Sequence, residues 1–209
     1  MDWVTISSLA TAAGTLVLAV ATYASVRSAN RAARVAEQSL LAQVRPLLMP
    51  SRFDDPVQKV NFMEGEHLRV EGGRAEAGVT SDAVYLALSV RNAGNGIAVL
   101  HGWHLWPERR GGREDTVPLD DFVRLTRDLY IAAGEVGFWQ GTFRDPGSEE
   151  FAAARRAIER HDQLTVDVLY GDELGGQRAI TRFALAPRED GGWWVTVSRH
   201  WHVDGPAPR

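Results

Sequence analysis

Residues 3–26, WVTISSLATAAGTLVLAVATYASV, contain no charged, Asn, Gln, His or Pro side chain. No other stretch restricts the fold so strongly. At about 1.5 Å of rise per residue, a helix of this length covers roughly 36 Å, enough to cross a hydrocarbon core of about 30 Å with some tilt. A buried core helix rarely goes six turns without a charge, so the run reads as a membrane span and the rest of the chain as tethered to it. Trp3 and Tyr23 stand at opposite ends, where an aromatic belt would place them. A cleaved signal peptide is the main competitor. It would have a positively charged start and a shorter apolar core, whereas here the only side-chain charge ahead of the run is Asp2.

Arginines give the span a direction. Arg27, Arg31, Arg34 and Arg45 face only Glu37, a local charge of +3 just after the run. Lys and Arg near the ends of a span stay on the cytoplasmic side. The expectation is a single-pass cell-membrane protein with its N-terminus outside and its C-terminal domain in the cytoplasm. Tyr23, Arg27, Arg31, Arg34 and Trp3 are then the membrane-interface residues, with lipid as the partner of this segment.

Residues 28–44 lack Gly and Pro and continue the helix. It should end at Arg45-Pro46, because a proline disfavours the helical conformation at the residue before it. Ala29, Ala33, Ala36, Leu40 and Val44 form one apolar stripe. The stripe supports two readings: a short coiled-coil seam pairing two protomers as a homodimer, or a face that packs on the domain or lies on the lipid. Ala10 and Gly14 form a small-xxx-small pair that would allow close helix contact.

From Pro46 onward there are 19 basic and 25 acidic residues, a net charge of −6, which leaves no electrostatic footprint for nucleic acid. The 209-residue chain has no cysteine, which excludes disulfides, thiolate metal sites and Cys nucleophiles. Alternation marks strands at 46–53, 67–70, 84–90, 97–106, 129–132, 136–143, 163–170, 178–186 and 193–203, with an edge piece at 116–119; the strand at 84–90 reads as half-buried. Ser148 followed by EEFAAARRAIERH predicts one helix, with the serine as N-cap and Glu149 and Glu150 in the first turn. Together these features give a mainly β fold: an anchor at 1–27, a helical linker at 28–45, and at 46–209 an immunoglobulin-like antiparallel β-sandwich with one inserted helix.

Few residues suggest chemistry. His200, His202 and Asp204 alternate on one face of the last strand, a spacing that suits metal ligands. The same alternation puts Trp193, Val195, Val197, Trp201 and Val203 on the core side, with Arg199 as a polar intruder. His101 and His104 form an HxxH, but positions three apart on a strand point to opposite faces. Glu114-Asp115 and Asp120-Asp121 are adjacent carboxylates of the kind that decorate solvated loops, and the G-x-G of 92–96 is followed by no helix and reads as a turn. Trp193 and Trp194 must face opposite ways, so Trp194, together with Trp106, is the expected contact surface.

Three stretches, SANRAARVAEQSLLAQVRPLLMP, LSVRNAGNGIA and TRFALAPREDGGWWVTVSRHWHVDGP, carry a resemblance. With the apolar start, they make the chain similar to the small membrane-anchored proteins of unknown function common in actinobacterial genomes. The resemblance implies an anchored β-sandwich and supplies no activity. The leading functional reading is a non-enzymatic interaction or sensing module without a cofactor, binding a protein or small ligand. A metal-dependent hydrolase built on His200, His202 and Asp204 and a structural component dimerising through the linker are the alternatives.

Overall fold

The computed structural model of the chain describes residues 3–204, which fall into two compact units divided after Gln43. The first unit is a single helix, α1 (Trp3–Gln43), of 41 residues, unbroken between the apolar run and the predicted linker. Its stretch Thr11–Leu41 has a mean hydropathy of 1.2 and none of it is buried, so it is not a core helix of the fold. By length and composition this is a helix able to cross a membrane. Two of its hydroxyls are bonded locally. Thr11 donates to the Ser7 carbonyl and Thr15 to the Thr11 carbonyl, each at 2.9 Å, which is how such side chains satisfy themselves where no water is present. The helix stops two residues short of Arg45-Pro46, as the proline requires. Asp2 and the side chains of Trp3 and Ala10 lie outside the described residues, so the Trp3 end of the belt and the Ala10–Gly14 pair lie there too.

The second unit is mainly β. Its strands are β1 (Leu48–Pro50), β2 (Gln58–Asn61), β3 (His67–Val70), β4 (Arg74–Val79), β5 (Val84–Asn92), β6 (Ala98–Trp106), β7 (Val123–Ile131), β8 (Val136–Phe143), β9 (Leu164–Gly171), β10 (Ala179–Pro187) and β11 (Trp193–His202); α2 (Glu149–Glu159) lies between β8 and β9. In place of an immunoglobulin-like pair of sheets, nine strands form one antiparallel sheet and β2–β3 a separate ribbon. Two residue pairs, Trp193↔Ala75 and Trp194↔Arg74, join β11 to β4 and make the ladder continuous. The sheet runs β8-β5-(β4, β1)-β11-β10-β9-β6-β7, and its two edge strands are consecutive in the chain. The short connection 132–135 therefore forces the sheet to curl back on itself as a half-barrel.

The main core fills that curl. Val84, Leu86, Leu88 and Val90 of β5 meet Leu164, Val166, Val168 and Tyr170 of β9 and Phe183 and Leu185 of β10. Helix α2 closes one side with Phe151, Ala154 and Ala157. It begins where the sequence places it, with the Ser148 side chain accepting the Phe151 N–H at 3.1 Å. Strand β5 is not half-buried as its alternation suggests. Its other face, with Tyr85 and Ala87, packs under the β2–β3 ribbon against Val60, Phe62 and Val70.

On the outer face of β9 and β10 the buried residues include charges. Arg182 and Asp167, directly paired across the ladder, are both 0% exposed. Arg182 donates Nε to Asp167 Oδ1 and Nη2 to Oδ2, each at 2.7 Å. Its remaining donors reach backbone carbonyls of the segment 107–122: Gly111 at 3.0 Å, Glu114 at 2.9 Å and Asp115 at 3.2 Å. Asp167 Oδ2 also accepts from Trp106 Nε1 at 3.2 Å and Thr116 Oγ1 at 3.1 Å. Thr165, next on the same face, donates to the Glu108 carbonyl and accepts the Arg110 N–H, both at 2.9 Å. These bonds lay the segment across the sheet and bury Phe122, Leu169, Ile180 and Trp201 beneath it as a separate apolar cluster.

A fully buried charge that loses its partner is strongly destabilising. Arg182→Met, which keeps the length of the side chain but strands Asp167, is expected to lower the stability of the full chain in detergent micelles by about 3–5 kcal/mol. Urea unfolding followed by tryptophan fluorescence measures it. A loss near zero would mean that water reaches the pair.

Candidate functional site

The residues singled out by the sequence separate in space. Strand β11 carries an irregularity: Arg182 pairs with Arg199 but Phe183 pairs with Val197, so Ser198 is an extra residue in the ladder. One extra residue reverses the alternation beyond it. Trp193, Val195 and Val197 enter the main core, whereas Trp201 and Val203 join the cluster beneath 107–122 on the opposite face. His200 and His202 consequently register with Thr181 and Ala179 on the inner side, not with Thr196 on the outer one. His200 Nδ1 shares a 2.8 Å hydrogen bond with Thr181 Oγ1, whose neighbour in turn is the Tyr170 hydroxyl at 3.1 Å. Asp204 turns to Arg178 instead, accepting its backbone N–H at 2.8 Å and its guanidinium at 2.7 Å. That guanidinium holds the Asp204 carboxyl below its usual range.

The three side chains therefore do not form a ligand set. Among the described residues, no group of three His, Asp or Glu side chains could hold a metal ion. The metal reading of His200, His202 and Asp204, and the hydrolase built on it, needs the three side chains on one point, and the structure does not bring them together there. Arg199 is no core intruder either; it lies on the outer face and donates to the Gly112 carbonyl at 2.8 Å. The 92–96 turn is organised by buried Asn92, whose side chain accepts the Leu47 N–H at 3.1 Å and donates to the Gly96 and Ile131 carbonyls at 2.6 and 3.0 Å.

The two tryptophans also differ. Trp194 is 39% exposed, meets 75% exposed Phe53 edge-on at 5.2 Å, and lies between the guanidinium groups of Arg188 and Arg74 at 4.6 and 5.2 Å. Trp106 is half-buried: its N–H is taken by Asp167 and the Arg110 guanidinium covers its ring at 4.1 Å. These contacts tie it to β9 and to the 107–122 segment.

What Trp106 does border is a cleft of about 730 Å³ between β6, β8 and the start of α2. Its deepest lining is apolar, with Trp103, Leu105 and Ala154 almost completely buried. Trp103 meets Phe143, another lining residue, edge-to-face at 5.0 Å. The mouth is acidic: Asp121, Asp145, Glu149 and Glu150 line it, against Arg144 alone. Arg144 is itself paired with Glu64 at 2.5 Å. His104 lines the cleft beside Trp106, their rings 4.5 Å apart, and burial pushes its pKa below the ordinary histidine value, which leaves it neutral near pH 7. The polar part of the lining consists of the Thr142 and Ser148 hydroxyls, the His104 imidazole, the four carboxylates and Arg144.

Sequence reading does not find this cleft because its walls come from three separated segments, 103–107, 117–123 and 142–154, that share no motif. The one local sign is the DPGSEE stretch, which announces a helix start and also sets three of the four carboxylates at the mouth.

No family model matches the chain, and no curated protein matches it. Among solved structures, it is similar to a Bordetella pertussis protein described as the "Putative ApaA Protein", at 9% identity over 78% of this chain and 97% of that one, with a TM-score of 0.24. At that score the two folds are not shown to be the same.

Burial lowers the pKa of His200, His101 and His104. Between those depressed values and the unfolded value of about 6.5 the unfolded chain binds more protons, so histidine-linked stability is complete above this window and falls as the pH drops through it. The urea midpoint should accordingly decrease from pH 7.5 to about pH 5.5, and less steeply in His200→Gln. A midpoint that rises on acidification would contradict the buried, neutral state of these rings.

Proposed function

We propose that the protein is a membrane-tethered, non-enzymatic interaction module, anchored by α1 with its N-terminus outside, and presenting its β domain in the cytoplasm to a protein or small ligand. The observation that carries this reading is that α1 holds a long apolar stretch none of which is buried by the protein itself. Apolar surface on that scale needs an apolar surround, and a bilayer supplies it. The orientation rests on Arg27, Arg31 and Arg34. They line one groove of α1 with Tyr23, Val26 and Asn30 and make no ion pair among the described residues. Unpaired arginines following a span suit the anionic headgroups of the inner leaflet, where each is worth about 1 kcal/mol. The binding role rests on the apolar-lined cleft, which lacks a catalytic set.

Alkaline phosphatase fused after Pro46 reports the side of the membrane, since it is active only outside the cytoplasm. The expected result is membrane-fractionated protein with background phosphatase activity. Strong activity would place the domain outside the cell and overturn the orientation.

A further inference from the structure

We propose that the cleft between β6, β8 and α2 is a binding site for an organic cation, a protonated amine carried on an apolar body. The inference rests on the reading of the domain as a binding module and narrows it to a ligand class. A volume of about 730 Å³ falls within the range of small-molecule sites, about 300–1,000 Å³. The lining offers partly exposed aromatic and aliphatic surface from Trp106, Val117, Val123 and Phe143, backed by buried Trp103, Leu105 and Ala154. An apolar ligand body gains from covering that surface, and a cationic end gains from an aromatic face.

Charge selects the other half of the ligand. Asp121, Asp145, Glu149 and Glu150 outnumber the single guanidinium of Arg144, which Glu64 already engages. His104 adds no positive charge near neutral pH, because burial disfavours its protonated form. The positive end of α2, which would otherwise attract an anion, is occupied by its own residues: the Ser148 side chain caps the Phe151 N–H, and Glu149 and Glu150 fill the first turn. Anions therefore meet like charge at the mouth. A bare metal ion is disfavoured for a different reason, since no three carboxylate or imidazole groups among the described residues converge on one point. A neutral apolar ligand would fill the interior but gain nothing from the acidic mouth. Only a ligand with both an apolar body and a positive end satisfies both halves.

Three probes of one shape separate these terms: phenethylamine, which is cationic at pH 7.5, phenethyl alcohol, which is neutral, and 3-phenylpropionate, which is anionic. Each is titrated into the full chain in zwitterionic nanodiscs, with empty nanodiscs as the partition control, and followed by calorimetry and tryptophan fluorescence. Saturable binding of phenethylamine is expected, at least about tenfold tighter than the alcohol, with no measurable binding of the anion. Asp121→Asn and Glu150→Gln alter exposed carboxylates away from the core, and each should weaken phenethylamine by about two- to fivefold while leaving the alcohol unchanged. Equal binding of amine and alcohol would overturn the cation proposal and leave the binding-module reading standing. Absence of phenethylamine binding, or an affinity unchanged when Asp121→Asn and Glu150→Gln are combined, would overturn it as well. The module reading itself fails only if crosslinking in native membranes also captures neither protein nor small molecule.

Discussion

Two opposite charges with no exposure to water, Arg182 and Asp167, set the conditions for much of the domain. Desolvating an ion pair in the interior costs several kcal/mol per ion, and the pair is tolerable only when its remaining hydrogen-bonding capacity is filled. Here it is filled from one source, the 107–122 segment, through three carbonyls on the arginine and, on the carboxylate, the hydroxyl of Thr116 together with the Trp106 N–H at the adjoining end of β6. The segment lacks regular structure apart from a short 3-10 turn at Leu119–Asp121, and the ion pair, Thr165, Arg199 and the packing of Phe122 hold it on the sheet. Held there, it buries Trp201, Ile180 and Leu169 and gives the outer face of β9 and β10 a core of its own.

The same segment leads from the fold to the site. Val117 and Asp121, on the far side of the pinned carbonyls, form part of the wall of the cleft, and Trp106 contributes its ring to the cleft and its N–H to Asp167. A binding site whose wall is an irregular segment works only if that wall is fixed before the ligand arrives, because ordering it on binding would consume affinity. The buried ion pair thus fixes a segment that also lines the cleft. The long helix needs no such device, since Thr11 and Thr15 bond to carbonyls within it.

Much of this was legible before any coordinates. The strands at 136–143, 178–186 and 193–203 and the capped helix after Ser148 follow from local pattern and local chemistry, which act within a few residues. The long helix with its stop before Pro46 is equally local. What could not be read were the non-local facts. The extra residue at Ser198 reverses which face carries His200 and His202, and nothing in SRHWHVD announces it. The β4–β11 contact that turns two expected sheets into one is only two residue pairs long. One sign was available in retrospect: Asp167 in TVDVLY and Arg182 in ITRFAL are each a lone charge within an apolar run, and a charge so placed needs a partner.

The central physical claim is that the ion pair holds 107–122 as a fixed wall. Hydrogen exchange read by mass spectrometry on the full chain measures it directly, because the Arg110 amide is bonded to buried Thr165 only while the segment is in place. The account predicts that amides of this segment exchange as slowly as those of the adjoining β9 strand, and that Arg182→Met releases the segment while β9 remains protected. Exchange at the unprotected rate in the unaltered protein would contradict it.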